Sequence, residues 1–199
     1  QQLAHTDFPL GRFESKEEVR SLARDYGFVN AKKHDSQDIC FVQNESYGDF
    51  IERYAGLKFP EGDFVDQNGN VLGRHKGLIR YTVGQRKGLG LSLPAPLYVK
   101  GKDMEHNRVI LSPEDGLYTK NVVANDFNFV SGEPFSKPVR VTAKPRYRAK
   151  EAPAVAEVRP DGTVKIVFDE PQRAVTTGQA IVLYDGDEVM GGGTIISTE

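Results

Sequence analysis

The stretch AIVLYDGDEVMGGGTII, residues 180–196, carries the reading on which the fold turns. Residues 180–184 and 189–196 are rich in β-branched and aromatic side chains, and Asp185-Gly186 between them is a tight-turn signal. The segment therefore predicts two antiparallel strands. Working back along the chain, the same texture recurs at 164–168, 154–158, 139–147 and 122–129, with Asp161-Gly162 marking another tight turn. Six strands joined by short turns, with no convincing helix among them, argue a small antiparallel barrel or sandwich.

Upstream the texture stays β as far as residue 58 or so. Residues 63–66 and 71–73 flank an Asn68-Gly69 turn and predict a hairpin. Residues 78–83 predict a strand running into the glycine-rich GQRKGLG of 84–90, and 97–100 with 108–111 predict a second hairpin around the polar 103–107. Before residue 58 one helix is well signalled. Ser15 can cap it, Glu18 stands three residues on as a capping-box partner, and Val19, Leu22, Ala23 and Tyr26 share one face. Gly27 supplies a left-handed stop. Residues 39–42 predict a buried strand, and a shorter helix is expected over 47–54. The expected fold is mainly β with a short α/β remnant, a small β-rich central domain and a C-terminal antiparallel β-barrel. The expected divisions are 1–43, 44–115 and 116–199.

The chain has 199 residues, 38% of them hydrophobic and 27% charged, as expected of an ordinary soluble globular protein. No apolar run approaches the roughly 20 residues that cross a bilayer, and no basic-then-apolar start suggests a signal peptide. A single cysteine leaves no internal disulfide and points to a reducing, cytoplasmic compartment. Gln1-Gln-Leu-Ala-His5 reads like the inside of a helix, as a processed or tag-cleaved terminus would. Net charge is only −2, but it is unevenly spread. Residues 74–108 carry 8 basic and 2 acidic side chains, and 137–150 carry 6 basic and none acidic. Local field rather than net charge attracts a phosphate backbone, although a basic block can equally be a solvated face.

Within the second block Lys144, Arg146, Arg148 and Lys150 fall on every second residue. In an extended strand they would share one face at a spacing of roughly 6–7 Å, close to that of phosphates along a single strand. Tyr147 would face the other way unless the strand ends there, in which case it could stack on a base or ribose. Cys40 sits where the polar HDSQD of 34–38 meets the apolar 39–42. A strand cysteine is commonly an inert small hydrophobe, and Asp35 and Asp38 would raise its pKa, so both an inert and a sulfur-handling role stand open. His5, His34, His75 and His106 show no ligand spacing; no metal is expected, and each histidine is read as a surface residue. The glycine-rich 84–90 lacks the ending of a Walker loop and reads as turns.

Five stretches taken together go further: DSQDICF at 35–41, GLIRYTVGQRKGLG at 77–90, KPRYR at 144–148, FDEPQRAV at 168–175 and GQA at 178–180. In this order, and over nearly the whole chain, they resemble the tRNA-specific 2-thiouridylase family. The resemblance implies an enzyme that uses ATP to adenylate the wobble uridine of certain tRNAs. It then replaces the C2 oxygen with sulfur delivered as a cysteine persulfide. Cys40 matches the persulfide carrier. Arg146 and Tyr147, flanked by Lys144 and Arg148, match tRNA contacts, and Gln179 matches a glutamine placed near tRNA. A sulfur-relay protein or cysteine desulfurase is implied as donor.

The family's Ser-Gly-Gly-x-Asp-Ser loop and second cysteine, with which the carrier pairs, are absent here. The resemblance thus implies a fragment beginning inside the enzyme, with the ATP site outside this chain, unable to thiolate tRNA alone. Two other readings are a non-catalytic RNA-binding β-barrel module like those of translation factors, and a thiol-dependent sulfurtransferase without RNA.

Overall fold

The computed structural model describes residues 5–33, 42 and 45–198. The chain forms two compact units, residues 1–50 and 51–199. In the first, helix α1 spans Lys16–Asp25. Ser15 Oγ accepts from Glu18 N at 3.3 Å, and Glu18 Oε2 accepts from Glu14 N at 3.3 Å, so the expected cap forms with its return bond one residue early. Gly27, at φ +71°, ends the helix as expected. Ala31 is the one buried hydrophobic residue among the described residues of this unit, and Phe8, Leu10, Tyr26 and Phe28 are exposed. Helix α2, Tyr47–Ala55, appears where the second helix was expected. Of the strand expected at 39–42, residues 39–41 lie outside the described residues, and so does Cys40.

The second unit begins with a four-stranded sheet: β1 (Gly62–Val65), β2 (Val71–His75), β3 (Tyr98–Asp103) and β4 (Arg108–Ser112), in the order β2-β1-β4-β3. Both hairpins form, but β1 and β4 run parallel, with Phe64 beside Val109. Phe64, Val99, Val109 and Leu111 make its core. The strand expected at 78–83 does not form. Leu78–Arg80 is a 3-10 turn instead, and Leu78 and Tyr81 both enter the core. Residues three apart lie on one side of such a turn but on opposite faces of a strand, so burial of this pair selects the turn. The chain then crosses the outer edge of β3. Gly84 N donates to Val99 O at 2.7 Å and Val99 N donates to Gln85 O at 2.9 Å. The glycines of 84–90 make turns, as expected, with Gly84, Gly88 and Gly90 all at positive φ.

His75 corrects the expectation of a surface histidine: it is fully buried. Its Nδ1 accepts from Gly77 N at 3.0 Å, which leaves Nε2–H to donate to Asn107 O at 3.1 Å. Its ring meets Phe64 and Tyr81 edge to face.

The last part is a closed barrel of β5 (Tyr118–Phe129), β6 (Val139–Lys144), β7 (Ala152–Val158), β8 (Val164–Arg173), β9 (Ala180–Asp185) and β10 (Glu188–Ser197). Its strands close in the order β10-β5-β8-β7-β6-β9. Alternation sends Val164, Ile166, Phe168, Ile181 and Leu183 inward. A barrel of so few strands has a narrow interior, and Ala143, Ala154 and Ala156 leave room there for Phe168 and Leu183. The Gly191–Gly193 run has a packing cause. A Cβ at Gly191 or Gly193 would lie 2.5 or 2.6 Å from a β5 carbonyl and 2.8 Å from the Phe127 ring. The strand expected over 139–147 is shorter than its reading: β6 stops at Lys144, and buried Pro145, which has no N–H for the ladder, begins a turn.

Candidate nucleic-acid interface

The barrel has two ends, and the strand pairing sorts its loops between them. Lys144, the last residue of β6, pairs with Val182 near the start of β9. The turn after β6 and the loop before β9 therefore share one end. That end also receives the finish of β8, because Ala143 pairs with Ala152 at the start of β7 and antiparallel β8 runs back past it from Phe168. Arg146, Tyr147 and Arg148 lie on the first of these loops, and Gln179 on the second. Their grouping is a product of register, since more than 30 residues of sequence separate Arg146 from Gln179.

The expected single row of four cations is not what forms. Past Pro145 the chain turns, with Ala149 N donating to Arg146 O at 3.0 Å, so Arg146, Arg148 and Lys150 spread around a loop. Tyr147 sits at its tip and is 94% exposed. This is the alternative in which the strand ends and the ring is left free for stacking. Exposed tyrosines ordinarily keep part of the ring against a neighbour, so a bare ring between two arginines is suited to a planar ligand.

The charge here is unneutralised. Among the described residues no carboxylate lies within ion-pair distance of Lys144, Arg146, Arg148 or Lys150. Nearby Arg140, by contrast, is held by Asp169. Its Nη1 donates to Asp169 Oδ1 at 2.8 Å, and this pairing lowers the Asp169 pKa and raises that of Arg140. Glu151, the first acid after the block, accepts from Thr142 Oγ1 at 3.0 Å. Cations without partners keep their full attraction for an external polyanion.

Gln179 is exposed, and its backbone is fixed by Ile195 N donating to Gln179 O at 2.8 Å and Gly178 N donating to Ile195 O at 2.8 Å. Gly178 is at φ +82°, so the turn that presents the glutamine favours glycine. Among the described residues no nucleotide cradle accompanies these side chains. The one glycine-rich loop, at 84–90, runs through turns and opens no helix, so it lacks the helix N-terminus that commonly holds phosphates. Lys100 and Lys102 of β3 also approach this barrel end, and the sequence reading did not single them out. Their signal was a pair of lysines two apart within the first basic block.

Three family models match successive parts of the chain. Residues 119–195 match a family model described as an aminomethyltransferase beta-barrel domain. Residues 48–113 match one described as a tRNA methyl transferase PRC-barrel domain, and residues 1–44 one described as a tRNA methyl transferase HUP domain. The chain is 52% identical over 195 residues to the tRNA-specific 2-thiouridylase of Acetivibrio thermocellus, covering 98% of this chain and 54% of that protein. It is 45% identical over 195 residues to that of Clostridioides difficile, again over 98% and 54%. With that of Symbiobacterium thermophilum it shares 47% over 193 residues, 97% of this chain and 49% of the other. The chain spans about half the length of the curated relatives it matches.

Proposed function

Because the chain belongs to the tRNA-specific 2-thiouridylase family, we propose that it supplies the tRNA-binding barrel and the sulfur-carrying cysteine of an enzyme that converts a wobble uridine to 2-thiouridine. In this reading Arg146, Arg148 and Lys144 hold backbone phosphates, Tyr147 stacks on a base or ribose, and Gln179 hydrogen-bonds from the adjoining loop. Cys40 carries the persulfide sulfur, received from a relay protein or cysteine desulfurase. The divisions at 43/44 and 115/116 separate the carrier segment, the sheet and the barrel. The compartment proposed is the cytoplasm; no described helix is long and apolar enough to cross a membrane.

The described residues do not fit ATP, so no step of the reaction is routed through them to it. Activation of the base by ATP belongs to the family's reaction as a whole. What this chain does is hold the RNA and present a sulfur atom. Phosphate contacts fix register without reading bases, so the selection of particular tRNAs rests on shape and on the few side chains that reach bases.

The observation that carries the reading is the set of unpaired cations around Tyr147 at the barrel end that also bears Gln179. Its test is tRNA binding measured against salt. Arg146→Ala with Arg148→Ala should weaken binding about tenfold or more and flatten the slope of log K against log salt by about 1.5 to 2. An unchanged slope would sink the proposal. Tyr147→Ala should cost about 1–3 kcal/mol of binding and leave the salt slope unaltered. A persulfide trapped on Cys40 after exposure to a cysteine desulfurase separates this reading from that of a non-catalytic RNA-binding barrel.

A further inference from the structure

Strand β3 carries a bulge. Val99 pairs with Leu111 and Gly101 with Ile110, so Lys100 is the extra residue, and Lys102 follows opposite Val109. A bulge re-aims the side chain it carries. Here it accompanies a cleft of about 440 Å³ at the meeting of sheet and barrel. Lys100 and Lys102 line one wall, and Thr82, Thr176, Thr177 and Thr198 supply hydroxyls around it. An adjoining recess of about 340 Å³ shares Lys100 and Thr198 and adds Lys120.

The charge of this cleft is one-sided. Among the described residues no carboxylate lines either recess. Lys100 Nζ donates to the neutral amide Oε1 of Gln67 at 2.6 Å, and no described carboxylate lies within ion-pair distance of Lys102. Asp103, the acid on the same strand, is engaged by His106 N at 3.1 Å and His106 Nδ1 at 2.8 Å. Surrounding atoms desolvate the Lys102 ammonium and lower its pKa, with nothing of opposite sign to offset the effect. An anion in the cleft would supply that offset, and the threonine hydroxyls would serve its remaining oxygens.

Thr176 and Thr177 belong to the loop that ends in Gln179, so the cleft opens at the same barrel end as the arginine loop. We propose that the Lys100–Lys102 cleft is a second RNA-backbone site, which takes one or two phosphates and carries the bound strand from the barrel onto the sheet. This rests on the tRNA-binding reading of the barrel end. It also gives the first basic block, 74–108, a role that reading left unassigned.

The experiment compares four double variants of the chain in binding an unmodified tRNA transcript across a salt series. Lys100→Gln with Lys102→Gln should weaken binding about tenfold and lower the salt slope by about 1.5, with an unchanged thermal midpoint. Lys100→Arg with Lys102→Arg should keep both. Lys137→Gln with Lys165→Gln, placed on the opposite end of the barrel, should leave the slope nearly as it was. If the Lys100/Lys102 pair can be neutralised with no change, while Arg146→Ala with Arg148→Ala still weakens binding, the cleft is not a phosphate site and the barrel reading survives. Equal losses from the Lys137/Lys165 pair would also overturn the proposal, since net charge alone would then explain them. A wild-type chain that binds no tRNA overturns both readings.

Discussion

At Gly84 φ is +86°, and a Cβ there would come within 2.9 Å of the Ala174 Cβ. Ala174 is buried and itself at φ +51°, tied by its N–H to Leu117 O at 2.8 Å, so it has little room to yield. Gly84→Ala should therefore destabilise the chain by about 2 kcal/mol, read as a shifted denaturant midpoint. His75 makes a second residue-scale test. His75→Leu leaves the buried Gly77 N–H without its acceptor and removes the donor to the partly buried Asn107 O, and about 2–3 kcal/mol of stability should be lost. Neither position could be weighed from sequence. The glycine was visible as a turn residue, but its contact with residue 174 is set by folding. The histidine's partners lie 2 and 32 residues away and are not periodic.

At the scale of elements, three hairpin turns share one device. Asp66 Oδ1 accepts from Asn68 N at 2.8 Å and Asn70 N at 2.9 Å, Asp161 Oδ1 accepts from Thr163 N at 2.9 Å, and Asp103 holds the turn at His106. Hydrogen bonds to the ionised form lower the pKa of each. Below the ordinary carboxylate pKa the unfolded chain takes up protons that the folded turns still refuse. Their stabilising effect is thus present above the unfolded value and lost as pH falls through the folded ones. The thermal midpoint should fall as pH is lowered from 5 towards 2, and a chain with Asp66→Asn and Asp161→Asn should show a shallower fall. The same elements show what sequence could convey. Alternation and Asp-Gly or Asn-Gly turns are local, and they placed the strands of both hairpins and of the barrel. The β6 stop at Lys144 was also available, in Pro145, but the row of alternating cations outweighed it. The parallel pairing of β1 with β4 and the bulge at Lys100 were not available, because partners distant in sequence determine them.

For the molecule as a whole, burial is divided unevenly. The barrel interior holds residues such as Val164, Ile166, Ile181 and Leu183 at full burial, whereas Ala31 is the one buried hydrophobic residue described in the first unit. Amide exchange should consequently be slowest in β5, β8 and β9 and fast throughout α1, with a difference of several orders of magnitude in protection. Comparable protection in α1 and β8 would contradict this. Charge is distributed just as unevenly, and the segregation into 74–108 and 137–150 was readable from the first. Which end of the barrel those segments reach depended on strand order, so the candidate site was known by its residues before it was known as a place.

Closure of the barrel also sets a schedule. β5 completes its pairing only with β8 and β10, and the two strands of the β5–β10 seam are separated by roughly sixty residues of intervening chain. As a ribosome lengthens the chain, β5 through β9 can assemble while the seam stays open, and only the arrival of β10 removes the last free edges. Until then both edges can recruit strands from other nascent chains. The three glycines of β10 let that strand enter a slot already narrowed by Phe127, so the final step can be quick even though its loop is long.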